Sequence, residues 1–533
     1  MTEKQYDVII IGAGVSGLTA AALLSKAGLS VCVLERHRLI GGYLQGFSRK
    51  GFRFDTAIHW LNQYGENGSV TNVFKYIGDD FPIPHRMKKI HRHVTSAYDF
   101  TLTNNPDELK AQLIKDFPHE AKGIEKFFKA AKVVAKVSMK FPKFFVSNET
   151  KTGLFKMLFM LKQLRIIYPL IQFIPYSGPK GVEKGLRKYF QDEKLLGIFR
   201  SEPDLLSCLF PIAWAYNDDF QNPPIGGSQV IPEWLVSKLN PENSDVILSA
   251  EVFKIDVQDG AFKSVTYRKR LKEYTMSAKH LIAACDIDLL YKKLLPSGIV
   301  PDSLTQKLDK AELYSSSVTI SIALTCTAES LGFGEEMILL FNDETQRMEH
   351  NSGDPHKSFL SILAPTVRDK TLAPENHGTL NVFVPAWMTY NNNWGTALNN
   401  KGEYERNEEY KRIKEEFAQI IFERLERQIC PNLREHILFY EVATPITYYR
   451  YTHNKDGSMM GTRPGKINMQ LKVAQYLTPV KNLFIGGHWA ELGGGVPIAA
   501  KAAYNASLLV LKDQKPQVYH QMIDYIESTI QDS

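Results

Sequence analysis

Residues Tyr6 to Arg36 read "YDVIIIGAGVSGLTAAALLSKAGLSVCVLER". An apolar run gives way at once to glycines, then to a small-residue helix pattern, a second apolar run and an acid. Buried parallel strands read as continuous apolar runs, so Tyr6 to Ile11 is expected to be the first strand of an α/β sheet. Gly12, Gly14 and Gly17 follow in GxGxxG spacing. Gly12 permits a tight turn, Gly14 lets a pyrophosphate approach the backbone, and Gly17 lets the helix lie close on the sheet. The helix, with Val15 and Ser16 at its start, aims its N-terminus at the phosphates, and Gly28 ends it. Glu35 closes the second strand, with Arg36 beside it. There, about 20 residues past the glycines, a carboxylate can bond ribose hydroxyls and repel a 2′-phosphate. A lone GxGxxG says little; with strand, helix and acid in place it marks a dinucleotide site.

The chain has 533 residues, room for two or three domains. Its net charge of +6 is mild for that length and gives no reason to expect a nucleic-acid partner. Five scattered cysteines without CxxC spacing point away from a disulfide framework or a metal centre and toward a reducing compartment. No secretory signal pattern precedes the first strand, so a cytoplasmic location is expected. Basic charge is concentrated: ten Lys or Arg lie between Lys140 and Lys188, against Glu149 and Glu183. The longest apolar stretch, Leu154 to Ile174, falls inside this region, and Lys156, Lys162, Arg165 and Pro169 interrupt it. It fails as a membrane span. It reads as a helix over a substrate domain or as a segment lying on a membrane surface.

Past the acid, Gly41-Gly42 is followed by Tyr43, and then by "GFRFDTAIHWL" from Gly51 to Leu61. Near the C-terminus, "NLFIGGHWAELGGGVPIAAKAAYNAS" pairs another strand and glycine turn with a small-residue helix. Together these segments resemble the flavoprotein superfamily of amine oxidases, phytoene desaturases, carotenoid isomerases and retinol saturases. "F-D-T-A-I-H" is most similar to the carotenoid isomerase and retinol saturase branch, with Ala57 where glycine is usual and Tyr43 where many relatives carry arginine. The resemblance implies FAD as cofactor. It implies a second contact to the cofactor from Gly41-Gly42, an adenine contact from the backbone of Val252, and Asp286 near the cofactor at the end of a strand. It also implies a flavin-ring contact from Gly487 and from Gly494-Gly495-Val496-Pro497, where a helix N-terminus would stabilise negative charge.

The resemblance and the strand patterns give an α/β fold. A Rossmann-type FAD-binding domain is expected from discontinuous segments 1–80, 224–300 and 465–533. An α+β substrate domain of mixed sheet plus helices is expected from 81–223 and 301–464, with 140–188 at a membrane interface. Residues 315–325, 358–364 and 379–387 read as strands, and 403–429 as an amphipathic helix with a solvated charged face. The candidates for proton transfer are Glu491, His488, His59 and Tyr43, with Trp60 and Trp489 beside the histidines. A half-buried histidine satisfied by backbone is the plain alternative for His59.

No second GxGxxG stands between a strand and a helix. Electrons are therefore expected to pass between a hydrophobic small-molecule substrate and an external partner such as oxygen, a quinone or a separate reductase. The reaction implied is saturation, desaturation or isomerisation of carbon–carbon bonds in a polyene or isoprenoid. An amine oxidase-like flavoenzyme is the alternative on the same scaffold, and a non-catalytic flavin-binding protein is the alternative from another class.

Overall fold

The computed structural model describes residues 5–96, 98–151, 153–200, 202, 204–342, 349–400 and 402–529. The outermost four residues of the expected segments 1–80 and 465–533 lie outside these. The apolar run Tyr6–Ile11 is the strand expected, and it sits at the centre of a sheet. It pairs in parallel with Val31–Leu34 on one side and with the end of Lys272–Ala283 on the other. Asp245–Ile247 extends the first edge and Leu483–Ile485 the second, both in parallel. Five parallel strands from three distant parts of the chain therefore form one sheet.

Lys272–Ala283 belongs to two ladders. Its first half, "KEYTMS", pairs antiparallel with Ala261–Lys269. Its second half ends in the buried "HLIA" between the opening strand and Leu483–Ile485. Polar alternation at one end and a continuous apolar run at the other account for the change, because only the second half is covered on both faces. The first helix, Val15–Lys26, and the closing helix, Gly495–Gln514, lie together over the sheet, and their small residues allow close approach. Ser16 Oγ helps fasten them, donating to the Ala499 carbonyl of the closing helix or to the Gly486 carbonyl before it.

The second sheet runs Ile437–Ala443, Ser316–Leu324, Gly378–Ala386, Leu360–Leu363, Met337–Leu340, Lys89–Val94, Asp99–Thr103. All neighbours are antiparallel except Met337–Leu340 with Lys89–Val94. Strand side chains alternate between faces. Val318, Ile320, Ile322 and Leu324 share a core with Ile413, Phe417, Ile421 and Phe422 of the helix Glu408–Gln428. Most charges of that helix face solvent, as expected. Arg424 is the exception: it is buried, and its guanidinium donates to the Pro355 carbonyl and Asn342.

Residues 106–216 form a helical layer with its own apolar core. Within it, Phe145, Val146 and Phe159 join the core of the first sheet's helices. Asn505 of the closing helix holds this junction, accepting from Ser147 N at 2.6 Å and donating to Phe145 O at 2.7 Å. The apolar stretch near Leu154 is a helix over Gly153–Ile167 followed by a 3-10 turn, Tyr168–Phe173. No helix among the described residues is long and apolar enough to cross a membrane.

Candidate functional site

The glycine turn after the opening strand is shaped by contact. Gly12 has φ +103°, and a Cβ there would stand 2.9 Å from the Ala284 carbonyl. A Cβ on Gly17 would stand 2.0 Å from the Gly12 carbonyl oxygen. Gly14 differs: it lies in extended backbone, and no atom is within 4 Å of the place its Cβ would take. That open space faces a cleft of about 200 Å³. Gly41 and Gly42, both at positive φ, bring a second loop against the same turn, so that a Cβ on Gly42 would meet Gly14 Cα at 3.2 Å.

The cleft is lined by Gly12, Gly14, Val15, Ser16, Glu35, Arg36, Gly41, Gly42, Tyr43, Val252, Gly487, His488, Gly495 and Val496, among others. Segments expected from three parts of the chain thus meet around one space. Glu35 accepts from Ala13 N and His37 N, both at 2.7 Å. Burial raises its pKa, against the pull of those two hydrogen bonds. Each carboxylate oxygen keeps acceptor capacity toward the cleft. Arg36 carries a buried guanidinium nitrogen, Nη1, with no hydrogen-bond partner among the described residues. Burial lowers its pKa, and Glu251 and Glu35 oppose that shift.

Several expected contacts have other geometry. The Ser16 hydroxyl is committed to the closing helix, which leaves its backbone N–H for a ligand. Asp286 is outside the lining: it caps a short helix through Leu289 N and receives Lys455 N at 2.9 Å. Burial pushes its pKa up to about 6. Gly17, Gly494 and Pro497 shape the turns without lining the cleft. Glu491 is also outside, bonded to the Tyr476 hydroxyl at 2.5 Å and to Lys501 Nζ at 3.0 Å.

His488 lines the cleft, its Nε2 buried and without a partner among the described residues. Burial lowers its pKa to about 4, so it is neutral near pH 7. The Tyr43 hydroxyl donates to Ser458 O at 2.6 Å and receives Asn454 Nδ2 at 3.3 Å. Burial raises its pKa to about 12. Its proton is thus held between two parts of the chain. His59 is fully buried, with Nδ1 3.6 Å from an Asp55 oxygen and Phe383 edge-on against its ring. Neither His59 nor Trp60 lines the cleft, but Ile58 does.

Asp55 organises this corner. Its Oδ1 accepts from both the N–H and the hydroxyl of Ser228 at 2.8 Å. Arg368, half-buried, donates to the His59 carbonyl at 3.0 Å. Burial opposes ionisation of Asp55, yet His59 and Ser228 hold its pKa below the ordinary value. Sequence reasoning missed Arg368, Ser228, Met459 and Met460. Arg368 lies in a stretch without a motif, and the methionines sit in a loop whose pattern resembles no strand or helix.

A second cavity, of about 1260 Å³, adjoins the cleft. Arg36, Gly42, Tyr43, Gln45 and Thr452 line both. The far wall of the larger cavity is the second sheet, through Thr319, Ser321 and Asn381.

Residues 10–77 match the family model for an NAD(P)-binding Rossmann-like domain. Over 526 residues the chain is 24% identical to a Danio rerio protein named inactive all-trans-retinol 13,14-reductase, covering 90% of this chain and 82% of that one. It is 25% identical to the chloroplastic prolycopene isomerase of Daucus carota, covering 93% and 78%. The chain is similar to proteins named retinol 13,14-reductase and prolycopene isomerase. Among solved structures, a cyclohexylamine oxidase from Brevibacterium oxydans superimposes with a TM-score of 0.57 at 14% identity, covering 96% of this chain and 100% of that one. This last likeness is one of fold. These two relatives are named for redox or isomerising chemistry, and the fold of this chain is the α/β architecture expected from the motifs.

The residues around the cleft fit a dinucleotide in kind. They offer helix-terminal N–H groups, a turn without side chains, a carboxylate for ribose and an unpartnered guanidinium. At about 200 Å³ the cleft is below the roughly 300–1,000 Å³ of ordinary ligand pockets. Met459 and Met460 are the flexible lining groups able to withdraw, and Met460 lies directly over Gly494.

Proposed function

We propose that this protein is an FAD-dependent oxidoreductase acting on carbon–carbon bonds of a hydrophobic polyene or isoprenoid. The observation that carries this reading is the pair of adjoining spaces. A dinucleotide-type cleft opens through Gly42 and Tyr43 onto a large cavity roofed by a second sheet.

FAD, when bound, supplies hydride donor and acceptor chemistry. In this reading Gly12, Gly14, Val15 and the Ser16 N–H receive the pyrophosphate, and Glu35 takes the adenosine ribose. Val252 lies along the adenine, with Arg36 nearby as a cation. Gly487, Gly495 and Val496 bring the closing helix to the ring, and its N-terminal N–H groups oppose negative charge there. Tyr43 keeps the mouth between the two spaces in shape by tying the glycine loop to Ser458. His488, neutral and unpartnered, is the side chain placed to accept or give a hydrogen bond beside the ring. Glu491 takes a positioning part, holding Tyr476 and Lys501. Asp286 does the same by anchoring the loop that carries Met459 and Met460.

Electrons pass to or from an external partner such as oxygen, a quinone or a separate reductase. The test uses purified, flavin-loaded protein reduced without oxygen. Mixing it with conjugated polyenes is expected to reoxidise the flavin, or to change the polyene without net reoxidation if the reaction is an isomerisation. No change with any polyene, with peroxide release from amines in air, would replace this reading by an amine oxidase. A flavin that dithionite cannot reduce would mark a non-catalytic protein, the case to which the word "inactive" in one relative's name draws attention.

Peripheral membrane contact would deliver such a substrate. Met157, Leu161, Leu164 and Tyr168 recur at helical spacing and are 55–73% exposed. Beside them, Lys136, Lys140, Lys143, Lys162 and Arg165 ring a groove. Each basic group adds about 1 kcal/mol near an anionic surface. Co-sedimentation with phosphatidylserine-containing vesicles is expected. Reversing Lys140, Lys143, Lys162 and Arg165 to glutamate should weaken it at least ~100-fold. Equal pelleting of wild type and variant would refute the contact.

A further inference from the structure

We propose that Ser321 and Asn381 form a polar subsite in the wall of the large cavity, selecting polyenes that carry an oxygen function over pure hydrocarbons. The proposal rests on the polyene reading above and narrows it.

The strand Ser316–Leu324 is buried along its whole length, yet hydroxyl residues occupy every second position of one face: Ser317, Thr319 and Ser321. A strand covered on both sides normally reads as apolar throughout. The other face, Val318, Ile320, Ile322 and Leu324, obeys that rule against the helix Glu408–Gln428. Two of the hydroxyls have partners within the protein. Ser317 Oγ donates to the Val318 or Val384 carbonyl, and Thr319 Oγ1 meets the Tyr448 hydroxyl. Ser321 stands directly opposite Asn381 across the ladder to Gly378–Ala386, and both line the cavity. Asn381 is 1% exposed, and its Oδ1 has no hydrogen-bond partner among the described residues.

An amide in such a wall can be hydrated while the cavity holds water. A hydrocarbon filling the cavity would strip that water and leave the amide unpaired. A ligand hydroxyl would replace it by donating to Asn381 Oδ1, and a ligand carbonyl, which only accepts, would be met by the Ser321 hydroxyl. Sites built around a hydrogen bond discriminate strongly against analogues that lack the partner.

Binding can be measured by ligand absorbance and protein fluorescence on the flavin-loaded full chain. The probes are all-trans-retinol, all-trans-retinal and axerophthene, the hydrocarbon of the same skeleton. Wild type is expected to bind the two oxygenated probes at least ~10-fold more tightly than axerophthene. Asn381→Leu should erase that ratio for retinol, whose hydroxyl loses its acceptor, while gaining affinity for axerophthene. Ser321→Ala should reduce the ratio and supplies the reading if the leucine variant does not fold. Flavin absorbance and melting temperature report whether each variant is intact. Equal binding of all three probes by wild type, or an unchanged ratio in a folded variant, overturns the subsite and leaves the polyene reading standing. Binding of none of them also overturns the subsite, and the polyene reading is then decided by the flavin reoxidation test above.

Discussion

Gly14→Val is expected to leave the flavin-free protein folded and to abolish its hold on FAD. The backbone at Gly14 is extended, a conformation any residue adopts, and nothing lies within 4 Å of the new Cβ. Valine is a poorer helix N-cap than glycine, so the apo protein should lose no more than about 1 kcal/mol. The methyl groups would occupy the side of the turn that faces the cleft, where the pyrophosphate must touch backbone. FAD affinity should fall roughly a hundredfold or more, about 3 kcal/mol. Flavin titration and apo-protein melting separate the two effects. Gly17→Ala serves as the contrast, because its Cβ would meet the Gly12 carbonyl oxygen at 2.0 Å and the turn itself must break. Normal FAD affinity in Gly14→Val would exclude this turn as the phosphate site.

Asp55→Ala is expected to destabilise the folded protein by about 3–5 kcal/mol, as does removal of one member of a buried charged cluster. The loss strands the Ser228 N–H and the adjacent imidazole of His59, both buried, while the Ser228 hydroxyl keeps the Leu44 carbonyl as acceptor at 3.0 Å. It also frees the stretch that follows. The Thr56 carbonyl accepts from Tyr448 at 3.2 Å, and Ile58 lines the cofactor cleft. Flavin retention should therefore fall with stability. Asp55→Asn keeps an acceptor for Ser228 and should recover about half of the loss. Urea unfolding and the flavin-to-protein ratio check both variants. If alanine costs less than about 1 kcal/mol, the cluster is not what positions this strand end.

The opening motif was legible because its signals are local. A buried parallel strand, a turn that only glycine fits, and a helix close on the sheet each leave a pattern within a few residues. The strands Glu251–Gln258 and Ala261–Lys269 are local in the same way, since the turn between them carries Gly260. Side-chain commitments are different. Ser16 at a helix start reads as a phosphate ligand, yet its hydroxyl is taken by carbonyls more than 450 residues away. Glu491 reads as an acid beside the ring, yet Tyr476 and Lys501 engage it. Asp286 reads as a cofactor neighbour, yet it anchors the loop at Lys455. Nothing in the sequence near these residues names their partners.

The amino-acid sequence by itself therefore determined the α/β class, the glycine turn of the Rossmann-like domain and the similarity to proteins named retinol reductase and prolycopene isomerase, because glycine spacing and hydrophobic period act over one or two turns of chain. Only the tertiary structure decided which side chains face the cleft. It brought Gly12, Gly42, Val252 and Gly487 to one space, set Asp55 against Ser228, and aligned Ser321 with Asn381 in the wall of a large cavity. Those relations depend on how two sheets and their helices are stacked. A polar side chain satisfies its hydrogen bonds with whatever that stacking brings within about 3 Å, and distance along the chain does not enter.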